Sequence, residues 1–275
     1  MDWLQAMVLG IVEGVTEYLP VSSTGHLILT QRILKIPASQ AADAYAICIQ
    51  AGAILAVLGL YWPRVKQMML GVLGKNSQGL TLAVNIIIAF LPAAVIGVLF
   101  DAEIEKHLFG LWPIIGAWFV GGLVILVFSR WRQTHQPATA DRGFSLETLN
   151  WRMALVIGVA QCLAMWPGTS RSLVTILAGI LVGLSMSSAV EFSFLLGVVT
   201  LTAATGYKAM HSGSAMMQAY EWHIMLIGFV FAAVSAAVAV KWMVGYLNRH
   251  SLAIFGIYRL VLAAAATLFV GRLMP

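Results

Sequence analysis

The sequence predicts an all-α integral membrane protein, an inverted-topology repeat with six transmembrane helices and two re-entrant helical hairpins. Of its 275 residues, 60% are hydrophobic and only 10% are charged, whereas about a quarter of the residues in a soluble domain are charged. The charges lie between apolar runs of about 20 residues, the length that a bilayer requires. Two further apolar stretches are interrupted by polar and helix-breaking residues, and these two stretches are alike.

The first interrupted stretch, residues 13–26, reads EGVTEYLPVSSTGH between apolar flanks. Ionisable groups are costly at membrane depth, so they mark a functional site by default. Pro20 and Gly25 indicate a break in the helix, which a membrane tolerates only where protein or a watery cavity covers the backbone. Residues 3–31 are therefore predicted to form two half-helices that meet near residues 20–23, as a re-entrant hairpin.

The two halves of the chain have the same order of elements, in which a broken stretch is followed by three predicted spans. Apolar runs at about 45–62, 82–100 and 112–129 complete the first half. The second half opens with a hairpin at 153–184, broken at 166–172 by WPGTSRS, and continues with runs at about 189–207, 223–245 and 252–271. We predict a single membrane domain over residues 1–275, with repeats at 1–130 and 150–275.

The two broken stretches align with each other. The matched pairs are Gly10 with Gly158, Glu13 with Gln161 and Glu17 with Met165, followed after a one-residue gap by Pro20 with Pro167, Ser23 with Ser170 and Thr24 with Arg171. A re-entrant hairpin returns to its own side and three spans cross an odd number of times, so the second copy enters from the opposite face. The broken elements of such a repeat meet near the bilayer midplane.

Basic residues divide unevenly between the two faces of this topology, and the richer face is cytoplasmic by the positive-inside rule. That face carries Arg64, Lys66, Lys75, Arg130, Arg132, Arg142, Arg152, Lys241 and Arg249, and the other carries Arg32, Lys35, Lys106, Lys208 and Arg272. Both termini and the opening of the 13–26 hairpin are therefore predicted on the external side. Because topology explains the net charge of +5, nucleic acid is not an expected partner.

The second break places Arg171, a permanent cation, deep in an apolar region. A phosphate is its natural partner, since the guanidinium fork matches phosphate oxygens, and the N-terminus of the following helix favours the same anion. Further hydroxyl donors are expected from Ser170, Ser172 and Thr175. A structural ion pair of Arg171 with Glu13 or Glu17 is the alternative.

The first break supplies carboxylates and hydroxyls. Glu13 and Glu17 are four residues apart and share one helix face, where they could hold a divalent cation through oxygen ligands, polarise a neighbouring hydroxyl or histidine, or face a polar vestibule. Ser23 and His26 form a candidate nucleophile and base. Together the two breaks provide the groups for phosphoryl transfer, in which the protein mainly positions groups and neutralises charge. Within a membrane, the substrate is expected to be a lipid.

EGVTEYLPVSSTGH and PGTSRS resemble the two signatures of the undecaprenyl-pyrophosphate phosphatase (bacitracin-resistance) family. The resemblance covers nearly the whole chain, including FSFLL after Glu191 and the Tyr258–Arg259 pair. It implies removal of the terminal phosphate from C55 isoprenyl pyrophosphate at the outer side of the bacterial plasma membrane, which yields the monophosphate carrier lipid for peptidoglycan synthesis. It also implies a divalent cation, Mg²⁺ or Ca²⁺.

By this resemblance the catalytic candidates are Ser23, His26, Glu17 and Glu13, with the two glutamates as metal ligands. The phosphate-binding candidates are Arg171, Ser170, Ser172, Ser22, Thr24 and Thr175. The chain departs from the family's usual SRSGAT with SRSLVT, so packing behind the second break and the role of Thr175 are less closely tied to the family pattern. Whether Ser23 or a water is the nucleophile stays open, as does a homodimer.

A transporter or flippase of polyprenyl phosphate is the alternative function, because inverted repeats with broken helices are a transporter design. Transport needs no nucleophile or base, so the Ser, His and Glu set favours an enzyme. The other class of membrane phosphatase uses SRx₅H and Kx₆RP, and neither occurs here. Glu191 and Arg259, both near apolar runs, are expected to pair with each other.

Overall fold

The computed structural model describes residues 1–37, 39–135 and 143–273, and over this part the protein is α-helical. Arg142 and the side chain of Arg272, both used in the charge argument, lie outside what is described. The helices of the first half are α1 (Trp3–Thr16), α2 (Ser23–Ile33), α3 (Gln40–Leu60), α4 (Trp62–Val72), α5 (Ser77–Leu108) and α6 (Leu111–His135). Those of the second half are α7 (Trp151–Gln161), α8 (Arg171–Leu181), α9 (Met186–Ala219), α10 (Trp222–Leu247) and α11 (Ala253–Leu273).

The protein is a multi-pass membrane protein. Four described helices contain segments long and apolar enough to cross a bilayer, namely Ser77–Phe100, Leu111–Thr134, Met186–Met210 and Trp222–Leu247. A fifth crossing results if α3 and α4, bent by 83° at their junction, count as one span. Pro63 lies in the first turn of α4, where its missing N–H breaks no helical hydrogen bond. The predicted run at 45–62 thus ends at this bend.

Both interrupted stretches break where the sequence predicts. The helices that flank the breaks, α1, α2, α7 and α8, are 14, 11, 11 and 11 residues long, too short to cross a bilayer of about 30 Å at 1.5 Å per residue. A short 3₁₀ helix, Cys162–Met165, extends α7. Each break therefore joins two half-length helices.

The residues that precede α2 and α8 share an unusual backbone conformation. Ser22 has φ 73° and ψ 100°, and Ser170 has φ 77° and ψ 113°, in a region that non-glycine residues rarely adopt. Ser22 and Ser170 are separated by the same number of residues as Gly10 and Gly158. The one-residue gap in the sequence alignment is therefore wrong, and Ser23 is equivalent to Arg171 rather than to Ser170.

The first helices of the two halves also pack in matching ways. Helix α1 packs against α10, and α7 packs against α5. A Cβ atom at Gly10 would overlap the carbonyl oxygen of Gly228, and one at Gly158 would overlap that of Ala89. Small residues permit such close helix contact in membranes. The aligned glycines thus bring each broken element against a long helix of the other half.

Candidate active site

Glu17 lies where the two breaks meet and contacts one residue from each. Its Oε1 atom is 3.1 Å from Nη2 of Arg171, and the Arg171 and Glu17 side chains are only 11% and 5% exposed. Its Oε2 atom accepts a short hydrogen bond from Oγ of Ser23. Ser23 and Arg171 are the first residues of α2 and α8. Equivalent positions of the two halves therefore contact one carboxylate, and the ion pair that the sequence left open forms with Glu17.

The remaining contacts of the Arg171 guanidinium fix its orientation. Nη1 donates to the carbonyl oxygen of Ser193 at 3.3 Å, and the guanidinium carbon lies 5.6 Å from the ring centroid of Tyr18. Its Nε atom is buried and has no hydrogen-bond partner among the described residues. A planar cation with an unused buried donor is suited to an incoming anion.

A cavity of about 480 Å³ lies beside this cluster. Its polar wall includes predicted site residues from both breaks, Glu17, Ser22, Ser23, Thr24, Ser170 and Arg171. Its apolar wall comes from α5 and α9, including Phe90, Ala93, Gly97, Val98 and Leu201. Val98 is 71% exposed at the outside of α5, a surface that lipid covers in a membrane. One cavity thus adjoins both a buried cation and an apolar helix face.

A second cavity of about 490 Å³ reaches Glu13 and shares Ser23, Thr24, Gln50 and Lys208 with the first. Glu13 is 1% exposed, and neither of its carboxylate oxygens has a hydrogen-bond partner among the described residues. A buried carboxylate without a partner is costly, so this site fits a cation. Within residues 1–37, 39–135 and 143–273 no group of three or more His, Cys, Asp or Glu side chains is placed to hold a metal ion.

Ser172 and Thr175 depart from their predicted place on the phosphate-binding wall. Both are fully buried, and their hydroxyls are used within the protein. Ser172 Oγ donates to the carbonyl oxygen of Leu19 at 2.9 Å, which joins the second break to the first. Thr175 Oγ1 donates to the carbonyl oxygen of Arg171 at 2.8 Å and lies 2.6 Å from Ser193 Oγ. Both residues therefore hold the cluster together from behind.

His26 is not paired with Ser23 in this structure. Its Nδ1 atom lies 2.6 Å from the carbonyl oxygen of Ser22, so Nδ1 carries the proton and donates. Its Nε2 atom then accepts from the Tyr258 hydroxyl at 2.8 Å. Both ring nitrogens are occupied, and the imidazole supports the strained Ser22 backbone that precedes α2. The predicted pairing of His26 as a base for Ser23 is therefore replaced by the contact between Glu17 and Ser23.

Arg259 joins the two breaks through backbone carbonyl groups, a role that the sequence did not predict. It is 0% exposed. Its guanidinium donates to the carbonyl oxygens of Pro20, Gly168, Thr169, Ala117 and Trp118 at 2.8–3.4 Å. Its sequence signals are a cation in an apolar run and the Tyr258–Arg259 pair, which belongs to the family resemblance. Helix α11 thus supports both breaks through two consecutive residues.

The predicted pairing of Glu191 with Arg259 is wrong. Glu191 Oε1 instead lies 2.7 Å from Nε of Arg64, whose Nη2 atom lies 2.9 Å from Oε1 of Glu147. Glu147 lies outside the spans, and its carboxylate accepts hydrogen bonds from its own backbone N–H and from the Arg64 guanidinium. These two bonds lower the pKa of Glu147, and the bond from the backbone N–H has the larger effect. This ion-pair group joins α4, α9 and the segment before α7, away from the cavity.

The fold and the cluster define a helical multi-pass membrane protein with a buried polar site at the junction of two helix breaks. The chain belongs to the family described as bacitracin resistance protein BacA, whose model matches residues 6–265. Most of the helical region lies within this match.

Curated relatives of the chain carry a consistent name. It is 43% identical over 257 residues to undecaprenyl-diphosphatase 2 of Rhodospirillum rubrum, covering 94% of this chain and 91% of that protein. It is 43% identical over 267 residues to undecaprenyl-diphosphatase of Sorangium cellulosum, covering 96% and 85%. It is 42% identical over 259 residues to undecaprenyl-diphosphatase of Methylococcus capsulatus, covering 94% and 92%.

Proposed function

We propose that this chain is an undecaprenyl-diphosphate phosphatase, which hydrolyses the C55 isoprenyl diphosphate in the bacterial plasma membrane to the monophosphate carrier lipid and inorganic phosphate. The observation that carries this proposal is the cluster of Arg171, Glu17 and Ser23 beside a cavity with one apolar wall. The names of the relatives support the same substrate. A transporter is not favoured, since transport would not need the hydroxyl–carboxylate contact.

In the proposed mechanism, Arg171 binds oxygens of the diphosphate while the isoprenyl chain lies along the apolar wall. Ser23 Oγ attacks the terminal phosphorus, and its proton passes to Glu17. The bond from that phosphorus to the bridging oxygen breaks, and the departing lipid monophosphate takes the proton. Glu17 then accepts a proton from a water molecule, whose oxygen attacks the phosphorus of the phosphoserine. The bond from that phosphorus to Ser23 Oγ breaks, inorganic phosphate leaves, and Glu17 returns the proton to Ser23 Oγ. Glu17 replaces His26 as the base because of the Ser23 contact.

Ser23→Ala is expected to lower kcat for phosphate release by at least about a thousandfold, since removal of a nucleophile has an effect of this order or more. The matched control is Ser129→Ala, which removes a buried hydroxyl of α6 and is expected to keep normal turnover. Rapid quenching with substrate labelled in the terminal phosphate is expected to trap label on wild-type Ser23. Substantial turnover by Ser23→Ala would instead identify water as the direct nucleophile.

We also propose that Glu13 and Glu17 hold a divalent cation, Mg²⁺ or Ca²⁺, as oxygen ligands. When bound, this cation would reduce the negative charge of the diphosphate. The unpartnered carboxylate of Glu13 supports the assignment. Thr24, Ser22 and Ser170, which line the first cavity together with Glu17 and Arg171, are proposed to donate to the phosphate groups.

Purified protein is expected to release phosphate from C55 isoprenyl diphosphate, to stop when a chelator is added, and to recover with Mg²⁺ or Ca²⁺. Added cation is also expected to raise the thermal unfolding midpoint of the wild type, because a ligand that binds only the native state stabilises it. Glu13→Gln should lose most of this shift. No phosphate release under any cation would overturn the proposed function, and an unchanged shift in Glu13→Gln would overturn the metal site.

For the whole chain we propose the six-span inverted repeat, with re-entrant hairpins entering from opposite faces and the first opening to the external side. The shared conformation of Ser22 and Ser170 and the matching contacts of Gly10 and Gly158 support the repeat. Single cysteines placed at Lys35 and Lys75 should react with impermeant reagents from the external and cytoplasmic sides, respectively. Reaction of both from one side would contradict this topology.

A further inference from the structure

Gln161, the last residue of α7, has a buried hydrogen-bond donor that the protein does not use. The residue is 2% exposed and lines the first cavity together with Arg171. Its Oε1 atom lies 3.4 Å from Oγ1 of Thr200, a hydroxyl that donates to the carbonyl oxygen of Leu196 at 2.9 Å. Its Nε2 atom has no hydrogen-bond partner among the described residues. A buried donor without a partner destabilises the native state, so this amide suits a ligand in the cavity that can accept from it.

The equivalent residue of the first half shows what is special about this amide. Glu13 occupies the same position in α1 and also has unpartnered polar atoms, but it lines the second cavity. A carboxylate at residue 161 would add a second anion to the cavity that already contains Glu17. The neutral amide instead gives that cavity a donor and leaves the cation, Arg171, balanced by one carboxylate. The two halves thus have opposite chemistry, an acceptor in the first and a donor in the second.

We propose that the Gln161 amide is a substrate-binding group, whose Nε2–H donates to a non-bridging oxygen of the diphosphate held by Arg171. This inference rests on the proposed function, because it assumes that a diphosphate occupies the first cavity. The bond satisfies the orphaned donor only when substrate is bound. It also makes residue 161 sensitive to charge, since a carboxylate there would repel the diphosphate.

Two substitutions of Gln161 test this proposal through the kinetics of phosphate release. Gln161→Met keeps the length of the side chain without the donor, and we expect KM to rise about tenfold with kcat within about twofold, the effect of one lost hydrogen bond to a charged acceptor. Gln161→Glu keeps the shape of the side chain but replaces the N–H donor with a negatively charged acceptor. Its kcat/KM should fall about a hundredfold at pH 7.5 and recover as the pH is lowered and the carboxyl group gains a proton.

The matched control is Gln5→Glu, the same chemical change in the first turn of α1, where Gln5 caps the helix. It is expected to keep the wild-type kinetics and pH profile. A purely structural role for Gln161 would lower stability in both of its variants without a pH-dependent recovery. Wild-type KM in Gln161→Met, or wild-type kcat/KM at pH 7.5 in Gln161→Glu, would overturn the proposal.

A binding measurement separates this inference from the proposed function. A C55 isoprenyl methylenediphosphonate, which cannot be hydrolysed, is expected to raise the thermal unfolding midpoint of the wild type and to do so less in both Gln161 variants. If the wild type binds this lipid in a Gln161-dependent way but releases no phosphate, the proposed function fails and the Gln161 site stands. Equal shifts in all three proteins would remove the Gln161 site alone.

Discussion

Arg171→Lys is expected to lower kcat/KM for phosphate release by about a hundredfold to a thousandfold, the effect of removing a preorganised charged donor from a phosphoryl-transfer site. Lysine keeps the charge beside Glu17 but lacks the planar fork that binds phosphate oxygens in pairs. It also cannot reproduce both the 3.1 Å contact to Glu17 and the 3.3 Å contact to Ser193. Arg171→Ala is expected to abolish activity.

The stability of these two variants distinguishes a site residue from a structural one. Arg171→Ala leaves the buried Glu17 carboxylate without its cation, which is expected to reduce the free energy of unfolding by about 3–5 kcal/mol. Arg171→Lys retains an ion pair and should unfold close to the wild-type midpoint. Thermal unfolding in the same detergent, measured alongside phosphate release, checks both expectations.

Arg64→Lys provides the matched control. Arg64 also pairs with two acidic side chains, those of Glu147 and Glu191, but lies away from the cavity. Its lysine variant is expected to keep kcat/KM within about threefold, since the ion pairs are partly exposed and such pairs contribute little. Near-normal turnover by Arg171→Lys, or equal losses in both variants, would contradict the assignment of Arg171.

The sequence was sufficient to predict where the helices break, because costly groups in apolar runs and helix-breaking residues are local signals. It also predicted that the two breaks lie together, with an ion pair between Arg171 and Glu13 or Glu17 as the alternative to a bound phosphate. This followed from the repeat, since a buried cation needs an anion and the two breaks of an inverted repeat meet. The position of the breaks and their proximity both depend on residue types and their spacing, which can be taken from one sequence.

The pairing of individual side chains could not be predicted in the same way. Ser23 and His26 are three residues apart in sequence, but the positive φ of Ser22 and the start of α2 direct Ser23 to Glu17. The positive φ belongs to a serine, so no glycine marked it in the sequence. The one-residue shift in the alignment of the two halves, which makes Ser23 equivalent in position to Arg171, has the same origin.

The partners of Arg259 were hidden for another reason. A cation in an apolar run suggests an acidic partner, and Glu191 was the candidate because it too lies near an apolar run. The five observed acceptors are backbone carbonyl groups, which every residue carries and which therefore leave no mark in the sequence. Only the three-dimensional meeting of α6, α11 and the two breaks identifies them.

Arg259→Met is expected to lower the free energy of unfolding by about 4–5 kcal/mol, the upper range for single changes in a buried network. Methionine fills much of the volume but leaves the carbonyl oxygens of Pro20, Gly168 and Thr169, which lie outside regular helices, without their donor. Both breaks should loosen together. Activity is therefore expected to fall in parallel with the folded fraction and to recover partly at lower temperature.

Two further variants show whether the carbonyl contacts are the cause. Gly121→Ala would place a Cβ atom against the Arg259 guanidinium, because α6 passes there with no space for a side chain, and it should lower the unfolding midpoint with Arg259 unchanged. Tyr258→Phe removes one hydrogen bond, to His26, from the neighbouring residue of α11 and should cost only about 1 kcal/mol. Wild-type stability in Arg259→Met, or a loss no larger than that of Tyr258→Phe, would show that Arg259 does not hold the breaks together. If instead Arg259→Met unfolds and Arg171→Lys does not, the two buried arginines have separate tasks, one holding the two breaks in place and the other binding phosphate between them.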